Sequence, residues 1–299
     1  MKKSAFTILL LVSVIFSEGK ISGVSYFDYE YDFTDGAAND SGFSLSRTYF
    51  TYKNDISDEL SYKFQSDINY KTSPVNLYLK KAQLDWKSPF GKITLGMQGM
   101  NMFNVTEKTW GFRFIEKSPM DLHGFSSSAD MGIGYSREMG NISFSGLITN
   151  GAGYKSQEND KFKKMSLQAV YGEKKLVKND GFNIGGSFSI EPSEVAAGCY
   201  IYEEWADDIN SASDCVNSNG NWIEEGGSYN TTAMSFFGGY ATNRFRVGAE
   251  FDTHTDTNGD VKQQIMAFYG SYKVTDNFEG LLYVDMHDPN LDIDTNGIT

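Results

Sequence analysis

Alternation of apolar and polar residues is the dominant pattern along this chain. In the segment ELSYKFQSDI, residues 59–68, the apolar set is Leu60, Tyr62, Phe64 and Ile68, and the polar set is Ser61, Lys63, Gln65 and Asp67. Because successive side chains of a strand point to opposite faces, this segment predicts a ribbon with one apolar and one polar face. Such a ribbon fits a soluble sandwich, whose apolar face packs on a core, or a membrane barrel, whose apolar face meets lipid.

The same two-residue period recurs along the whole chain, and it predicts an all-β protein. No segment after residue 17 keeps a helical period for more than about three turns. We predict thirteen strands, at residues 20–33, 43–53, 60–70, 77–86, 92–98, 128–136, 142–149, 163–171, 182–190, 230–240, 244–252, 262–272 and 278–287.

The connections between these strands alternate in length. One set is short, with GEKKLVKNDG as its longest member, while the other contains every very long connection, at 34–42, 99–127, 150–161, 191–229 and 253–260. The exception is KTSPV, which belongs to the second set and is short. Outer-membrane barrels have short turns on one side and longer loops on the other, whereas a sandwich has no reason to sort its loops in this way. The pattern therefore predicts a transmembrane antiparallel β-barrel.

The polar faces of the predicted strands carry many charges, which a dry interior cannot hold because unpaired buried charges are very costly. A water-filled lumen can hold them. The residues predicted to face this lumen are Arg47, Lys53, Lys63, Lys81, Asp85, Arg244, Arg246 and Glu250.

The N-terminus has the charged region, apolar run and small cleavage residue of a secretory signal peptide. Lys2 and Lys3 precede an apolar run over residues 5–16, and Ser17 offers a small residue for cleavage. We therefore divide the chain into a signal peptide, residues 1–17, and one barrel domain, residues 18–299. Removal of the two lysines takes the formal net charge from −13 to −15. This acidity argues against nucleic acid as a partner.

Export to an oxidising compartment makes Cys199 and Cys215, the only two cysteines, a predicted disulfide; two buried thiols are the alternative. Residues 191–229 hold nine acidic residues and no lysine or arginine, which indicates a hydrated loop or a bridge to lipopolysaccharide through divalent ions. Asp292, Asp294 and Asn296 match part of a calcium loop without its final glutamate. We predict no cofactor and no resident metal.

One connection resembles a known family. The run Phe114–Ser118 (FIEKS), followed by a polar stretch and then DMGIG at 130–134, resembles the phosphate-selective porins O and P, and the resemblance is clearest over residues 43–155. It implies a sixteen-stranded barrel, usually trimeric, through which small solutes diffuse. It also implies that loop 99–127 narrows the pore, with Arg113, Glu116, Lys117 and Asp121 as candidates for the constriction. Alternatively, Glu116 and Lys117 fix the loop to the barrel wall.

The phosphate selectivity of that family rests on arginines and lysines that line the pore. Here the inward charges are mixed and the chain is acidic, so this preference is not carried over. Thirteen strands is also an odd number, whereas bacterial single-chain barrels have even counts. The first and last strands would run parallel, and the chain ends without a final strand closed by an aromatic residue. We therefore expect the sequence to be C-terminally incomplete, by about three strands.

Two functions follow from these patterns. The first is a porin of a Gram-negative outer membrane, a homotrimer in contact with lipid and lipopolysaccharide that conducts small hydrophilic solutes or ions. The second is a secreted soluble β-protein, such as a calcium-dependent adhesin or binding module. An enzyme is not expected, because the three histidines are far apart in sequence and no hydrolase, metalloprotease or nucleotide-binding motif is present.

Overall fold

The computed structural model describes residues 18–31, 42–69, 74–158, 160–194, 198–201, 204–205, 211–223, 228–257 and 261–291. Thirteen long strands in this part of the chain form one antiparallel sheet, in which nearly every strand pairs with the next one in sequence. The first and last strands are the two ends of the strand order, and within the described ranges no ladder joins them. The number of predicted strands is confirmed.

All but one of the strands of this sheet have at least nine residues, enough to cross a bilayer when tilted, and the strand Ile142–Thr149 has eight. Their bounds are β1 (Lys20–Glu30), β2 (Gly42–Asp55), β3 (Leu60–Asn69), β4 (Asn76–Ser88), β5 (Gly91–Gly99), β6 (Ala129–Met139), β7 (Ile142–Thr149), β8 (Lys164–Gly172), β9 (Gly181–Glu194), β13 (Ser228–Ala241), β14 (Phe245–Asp256), β15 (Val261–Thr275) and β16 (Phe278–Asp288).

A second, small sheet lies in the long connection between β9 and β13. It consists of β10 (Gly198–Ile201), β11 (Glu204–Trp205) and β12 (Asn221–Ile223), with β10 in the centre. A disulfide joins Cys199 to Cys215, whose Cα atoms are 5.4 Å apart. Cys215 belongs to the short helix α3 (Ala212–Asn217), so the disulfide ties this helix to the small sheet.

Two further short helices, α1 (Thr106–Trp110) and α2 (Pro119–Leu122), lie in the connection between β5 and β6. No helix in the described part of the chain is long and apolar enough to cross a membrane. The signal peptide at 1–17 and the candidate calcium residues Asp292, Asp294 and Asn296 lie outside the described residues.

The two faces of the sheet differ as the alternation predicts. Leu95, Ile133 and Ile148 are cross-strand neighbours on the outer face and are 41%, 57% and 56% exposed. Large apolar side chains remain exposed around this face on strand after strand, a surface that water would not tolerate and that lipid would cover. The opposite face carries the polar and charged positions, and this face encloses the interior.

The two ends of the sheet also differ, because connections of different length gather at each. We call the end with residues 56–59, 89–90, 140–141, 173–180, 242–244 and 276–277 the turn end, and the opposite end the loop end. Four of the six connections at the loop end are long, as predicted. The connection that contains KTSPV is short, which its sequence already indicated. The connection predicted as long at 253–260 contains only residues 257–260, because β14 continues to Asp256 and β15 begins at Val261.

One predicted lumen-facing residue lies outside the strands. Arg244 belongs to an exposed turn before β14, where the Thr242 hydroxyl accepts hydrogen bonds from the N–H groups of Arg244 and Phe245 at 3.3 and 3.2 Å. The strand begins one residue later than predicted, while the Arg244 carbonyl still accepts a hydrogen bond from the Lys273 N–H of β15 at 2.8 Å, and the lumen-facing position of Arg244 stays a prediction.

The outer face predicts a test with two substitutions in β6. Ile133→Lys puts a charge on the face that meets lipid and should destabilise the folded barrel by about 2–4 kcal/mol if the residue lies near the bilayer midplane. Ser136→Lys, on the opposite face of the same strand, should cost much less because its charge enters a wet interior. Urea titration of the protein folded into lipid vesicles measures both.

Equal losses for the two variants would contradict the assignment of the faces. A larger loss for Ser136→Lys would reverse it.

Candidate functional site

The connection between β5 and β6, residues 100–128, folds into the interior of the barrel; we call it the constriction loop. Its start is fixed to β7, where Asn101 Nδ2 donates a hydrogen bond to Ser145 Oγ at 3.0 Å. Its far side reaches β16, where the Tyr283 hydroxyl donates to the carbonyl of Lys117 at 3.0 Å. These contacts lie across the barrel from one another, so the loop crosses the lumen.

The loop also approaches both ends of the strand order. The rings of Trp110 and Tyr283 in β16 are 5.0 Å apart, and those of Phe114 and Tyr26 in β1 are 6.4 Å apart. Aromatic pairs at these separations attract through offset or edge-on contact. The loop is therefore a bridge, inside the barrel, between the first and the last strand of the sheet.

Apolar packing holds the loop against one wall. Its buried residues Met102, Phe103, Met120 and Phe125 form a cluster with Ala233, Ile265 and Ala267 of β13 and β15. Small inward side chains on these strands make room for the larger ones of the loop. This wall is consequently a dry, packed core, which a wholly water-filled lumen does not have.

Two glycines allow helix α1 to lie directly on the sheet. A Cβ atom at Gly239 would lie 2.6 Å from Cγ2 of Thr109, and one at Gly248 would lie 2.8 Å from the same atom. Separations below 3.0 Å are forbidden to real side chains, so only glycine fits at these two inward positions. Their place on the inward face of adjacent strands was a signal for close approach that the sequence analysis did not use.

The predicted constriction residues Arg113 and Asp121 lie together on the loop. Arg113 Nη1 forms an ion pair with Glu107 Oε2 at 3.0 Å and a second, close ion pair with Asp121. Burial opposes the charged form of Arg113, but the carboxylates of Glu107 and Asp121 outweigh it and raise its pKa. This triad braces the loop internally, and its one positive and two negative charges leave a net negative charge.

Glu116 and Lys117 contribute mainly backbone contacts. The Glu116 carbonyl accepts a hydrogen bond from Trp110 Nε1 at 2.9 Å, and its carboxylate accepts one from the Lys117 N–H at 2.8 Å. Together with the bond from Tyr283 to the Lys117 carbonyl, this geometry fits the alternative in which the two residues fix the loop to the wall.

The predicted lumen residues Arg246 and Glu250 lie inward on β14, but the loop covers them. Arg246 Nη2 donates to the Trp110 carbonyl at 2.9 Å and stacks 5.0 Å from the Phe112 ring. Glu250 is only 4% exposed, beneath α1, and the neighbouring inward Asp252 is fully buried. The prediction that Glu250 meets a wet lumen is wrong, because the glycine-lined wall lets α1 exclude water from it.

The remaining predicted lumen residues lie on the opposite wall, in β2–β4. Arg47 is paired with Asp67 at 2.7 Å and Lys53 with Asp55 at 3.2 Å. Asp85 accepts from Thr94 Oγ1 at 2.6 Å and is paired with Lys92 at 3.4 Å. Lys63 and Lys81 occupy inward register positions, with Lys63 beside Gln83 and Lys81 beside Gln65.

Cavities that share lining residues lie along β4–β9 on the turn-end side of the loop. A cavity of about 640 Å³ lies beneath the loop and has Asn104 and Lys108 in its roof. It shares Lys92 and Ser145 with a cavity of about 140 Å³, and Lys174 with one of about 490 Å³. The interior is thus divided into a packed half, behind the loop, and an open polar half.

A histidine cluster that the sequence did not predict lies at the end of the loop. His123 Nε2 contacts Asp285 Oδ2 at 2.7 Å, and the His123 ring stacks on that of His287 with centroids 4.0 Å apart. The Phe125 ring lies 5.1 Å from that of His254. The shared inward parity of His254 and Asp252, and of His287 and Asp285, was the available signal. Nowhere in the described ranges do three or more histidine, cysteine or acidic side chains form a group suited to a metal ion.

Comparison with known proteins shows which fold this is. Three solved structures of OmpT, an outer membrane protein of Vibrio cholerae, match nearly the whole chain. The trimer form folded in vitro gives a TM-score of 0.54 at 12% identity, over 90% of this chain and 78% of that chain. The fold is that of outer-membrane β-barrels.

The other two structures agree. A mutant of OmpT that lacks loop L8 gives a TM-score of 0.53 at 14% identity, over 91% of this chain and 82% of that chain. Outer-membrane expressed OmpT gives a TM-score of 0.52 at 13% identity, over 92% of this chain and 78% of that chain. No family model and no curated protein matches the sequence. At such low identity the likeness confirms the transmembrane antiparallel barrel class, and the resemblance to phosphate-selective porins stays a prediction.

The contact of α1 with the wall predicts the effect of adding a side chain there. Gly239→Val should push Thr109 and α1 off β13 and destabilise the docked loop by about 1–3 kcal/mol, the usual cost of overpacking. The carbonyl of Asn183, at 3.4 Å, is the nearest atom to a Cβ at Gly238, so Gly238→Val on the outer face is the matched control. Limited trypsin cleavage after Lys108 measures loop release.

Faster cleavage in Gly239→Val than in both the wild type and Gly238→Val is the expected result. Equal cleavage rates in all three proteins would show that α1 does not depend on this contact.

Proposed function

We propose that this protein is an outer-membrane porin, a water-filled channel for passive diffusion of small hydrophilic solutes or ions, in which the constriction loop narrows the pore. The observation that carries the proposal is the division of the interior by residues 100–128. The loop is packed on one wall and leaves cavities along the other, lined by polar residues such as Asn104, Ser145 and Lys92, which would form part of the solute path.

The difference between the turn end and the loop end indicates how the barrel would be oriented in the membrane. Short turns of outer-membrane barrels face the periplasm and long loops face the outside. The turn end would then be periplasmic, and residues 195–227 with their disulfide would be extracellular, where they would meet lipopolysaccharide. Export by a signal peptide at 1–17 fits this location.

A homotrimer in the outer membrane is part of the proposal. One of the similar structures is described as the trimer form of OmpT of Vibrio cholerae. The outer face of this chain carries the continuous apolar surface that contact with lipid and with neighbouring copies requires. The same surface argues against the secreted soluble alternative, because exposed apolar area on this scale drives aggregation in water.

No chemical reaction is part of this function. The histidines cluster at the end of the loop, where His123 and Asp285 join the loop to β16. The wet half of the interior is lined instead by hydroxyl, amide and lysine side chains, which serve the passage of hydrated solutes. Catalytic activity is therefore not proposed.

Conductance in planar lipid bilayers tests the proposal directly. The purified protein should produce discrete current steps that scale with the salt concentration. Ser136→Trp should reduce the size of the steps, because Ser136 lines the cavity of about 640 Å³ and the indole would occupy part of it. Ile133→Trp, on the outer face of the same strand, is the matched control and should leave the steps unchanged.

Absence of current steps, from protein shown by proteolysis and circular dichroism to be inserted and folded, would reject the channel. Equal conductance of Ser136→Trp and the wild type would reject the route beneath the loop.

A further inference from the structure

The turn between β8 and β9, residues 173–180, differs from the other connections at the turn end. It has eight residues, whereas the other described connections at this end have two to four. Turns on this side of outer-membrane barrels are ordinarily short. Here the extra length bends into the barrel, where Leu176 is only 3% exposed. We call residues 173–180 the inward turn.

The inward turn reaches helix α1 of the constriction loop. The N–H of Val177 donates a hydrogen bond to the carbonyl of Lys108 in α1 at 2.9 Å. A Cβ atom at Gly111, directly after α1, would lie 2.7 Å from Cγ2 of Val177. The turn therefore touches the helix at its middle and just past its end.

Leu176 fills the space between the helix and the wall of the barrel. A Cβ atom at Gly239 of β13 would lie 2.9 Å from Cδ1 of Leu176 and 2.6 Å from Cγ2 of Thr109 in α1. Leu176 and Thr109 therefore lie side by side over the same glycine. Burial of a leucine side chain is favourable and does not depend on charge. The wall, the helix and the turn thus meet at one apolar point.

Asn183 of β9 connects the turn and the helix through a single amide group. Its Nδ2 donates to the carbonyl of Glu173 at 2.8 Å and to the hydroxyl of Thr109 at 3.4 Å. Asn183 is itself only 3% exposed, so its side chain is held in place by its surroundings. The start of the inward turn and helix α1 are therefore fixed to the same residue of the sheet.

The inward turn also has a fixed shape of its own. The Glu173 carboxylate accepts hydrogen bonds from the Lys175 N–H at 2.8 Å and from Asn179 Nδ2 at 3.0 Å. The N–H of Glu173 donates to the carbonyl of Phe182 at 2.8 Å, which continues the ladder between β8 and β9. The place of Leu176 is consequently set by the two strands and the turn, and the constriction loop packs against it.

We propose that the inward turn holds α1 in position, with Leu176 as the positioning residue, and that the bore beside the constriction loop is thereby set in part from the turn end of the barrel. Gly239 and Gly248 let α1 lie directly on the sheet, but a surface without side chains does not stop a helix from sliding along the strands. The inward turn blocks that movement toward the turn end. The statement about the bore rests on the proposed channel function, whereas the positioning of α1 does not.

Limited trypsin cleavage of the folded full-length protein in lipid vesicles tests the positioning of α1. Leu176→Ala should speed cleavage after both Lys108 and Arg113 by about tenfold or more, because truncation of a buried leucine shifts a local equilibrium by at least that factor. Leu176→Met keeps the volume of the side chain and should restore slow cleavage. Asp180→Ala, at an exposed position of the same turn, is the matched control and should behave as the wild type.

The two cleavage sites separate release of the loop from exposure of one peptide. The turn covers the carbonyl of Lys108, whereas Arg113 is held within the loop by Glu107 and Asp121. Faster cleavage after Lys108 alone would show that the turn only shields that bond, and equal cleavage of Leu176→Ala and the wild type would show no support at all. Either result would overturn the proposal. Leu176→Val, a smaller truncation, should give a smaller increase at both sites and replaces Leu176→Ala if that variant does not fold.

Single-channel currents in planar bilayers test the effect on the bore. Lys108 of α1 lies in the roof of the cavity of about 640 Å³, so a helix that has lost its support should move toward this cavity. Leu176→Ala should therefore give a smaller mean current step and a higher open-channel noise, while Leu176→Met and Asp180→Ala should match the wild type.

The two measurements can fail separately. Faster cleavage at both sites with unchanged steps and noise would overturn the statement about the bore. Absence of current steps in every protein, the wild type included, would reject the channel, and the cleavage rates would still decide whether the inward turn positions α1.

Discussion

Each strand of this protein has to meet two environments with one set of side chains. In a bilayer the backbone must satisfy its own hydrogen bonds, so the spanning unit is a strand paired on both sides, and its faces must then differ. The outer face repeats leucine, isoleucine and phenylalanine, while the inner face is free to vary. The loop that enters the interior packs on that inner face, which each strand supplies with its alternate residues.

The inner face is divided by what covers it. On β13–β15 it combines small residues, such as Ala233, Gly239 and Ala267, with the buried acids of β14, and the constriction loop packs on it as on the core of a soluble protein. On β2–β8 it is polar and open. Glu250 and Arg47 occupy equivalent inward positions, yet the first lies dry under α1 and the second forms an ion pair on the open wall.

Strand number, side-chain parity and the two unlike ends of the sheet could all be predicted, because each follows from a local period or from connection length. The burial of Glu250 could not be predicted, because it depends on a loop that begins roughly 150 residues earlier in the chain. The turn at 173–180, between β8 and β9, enters the barrel and was missed for a related reason. Its segment, GEKKLVKNDG, looks like an ordinary polar turn, and only the burial of Leu176 shows that it enters the barrel.

The contacts of the constriction loop with the final strands carry a consequence for the order of assembly. His123 and Asp285 are 162 positions apart in sequence, and Lys117 and Tyr283 are 166 apart. Contacts of such long range form late, because the intervening chain must first lose its freedom. The loop can therefore dock fully only once β13–β16 have paired, and an assembly intermediate without these strands would have a wider interior.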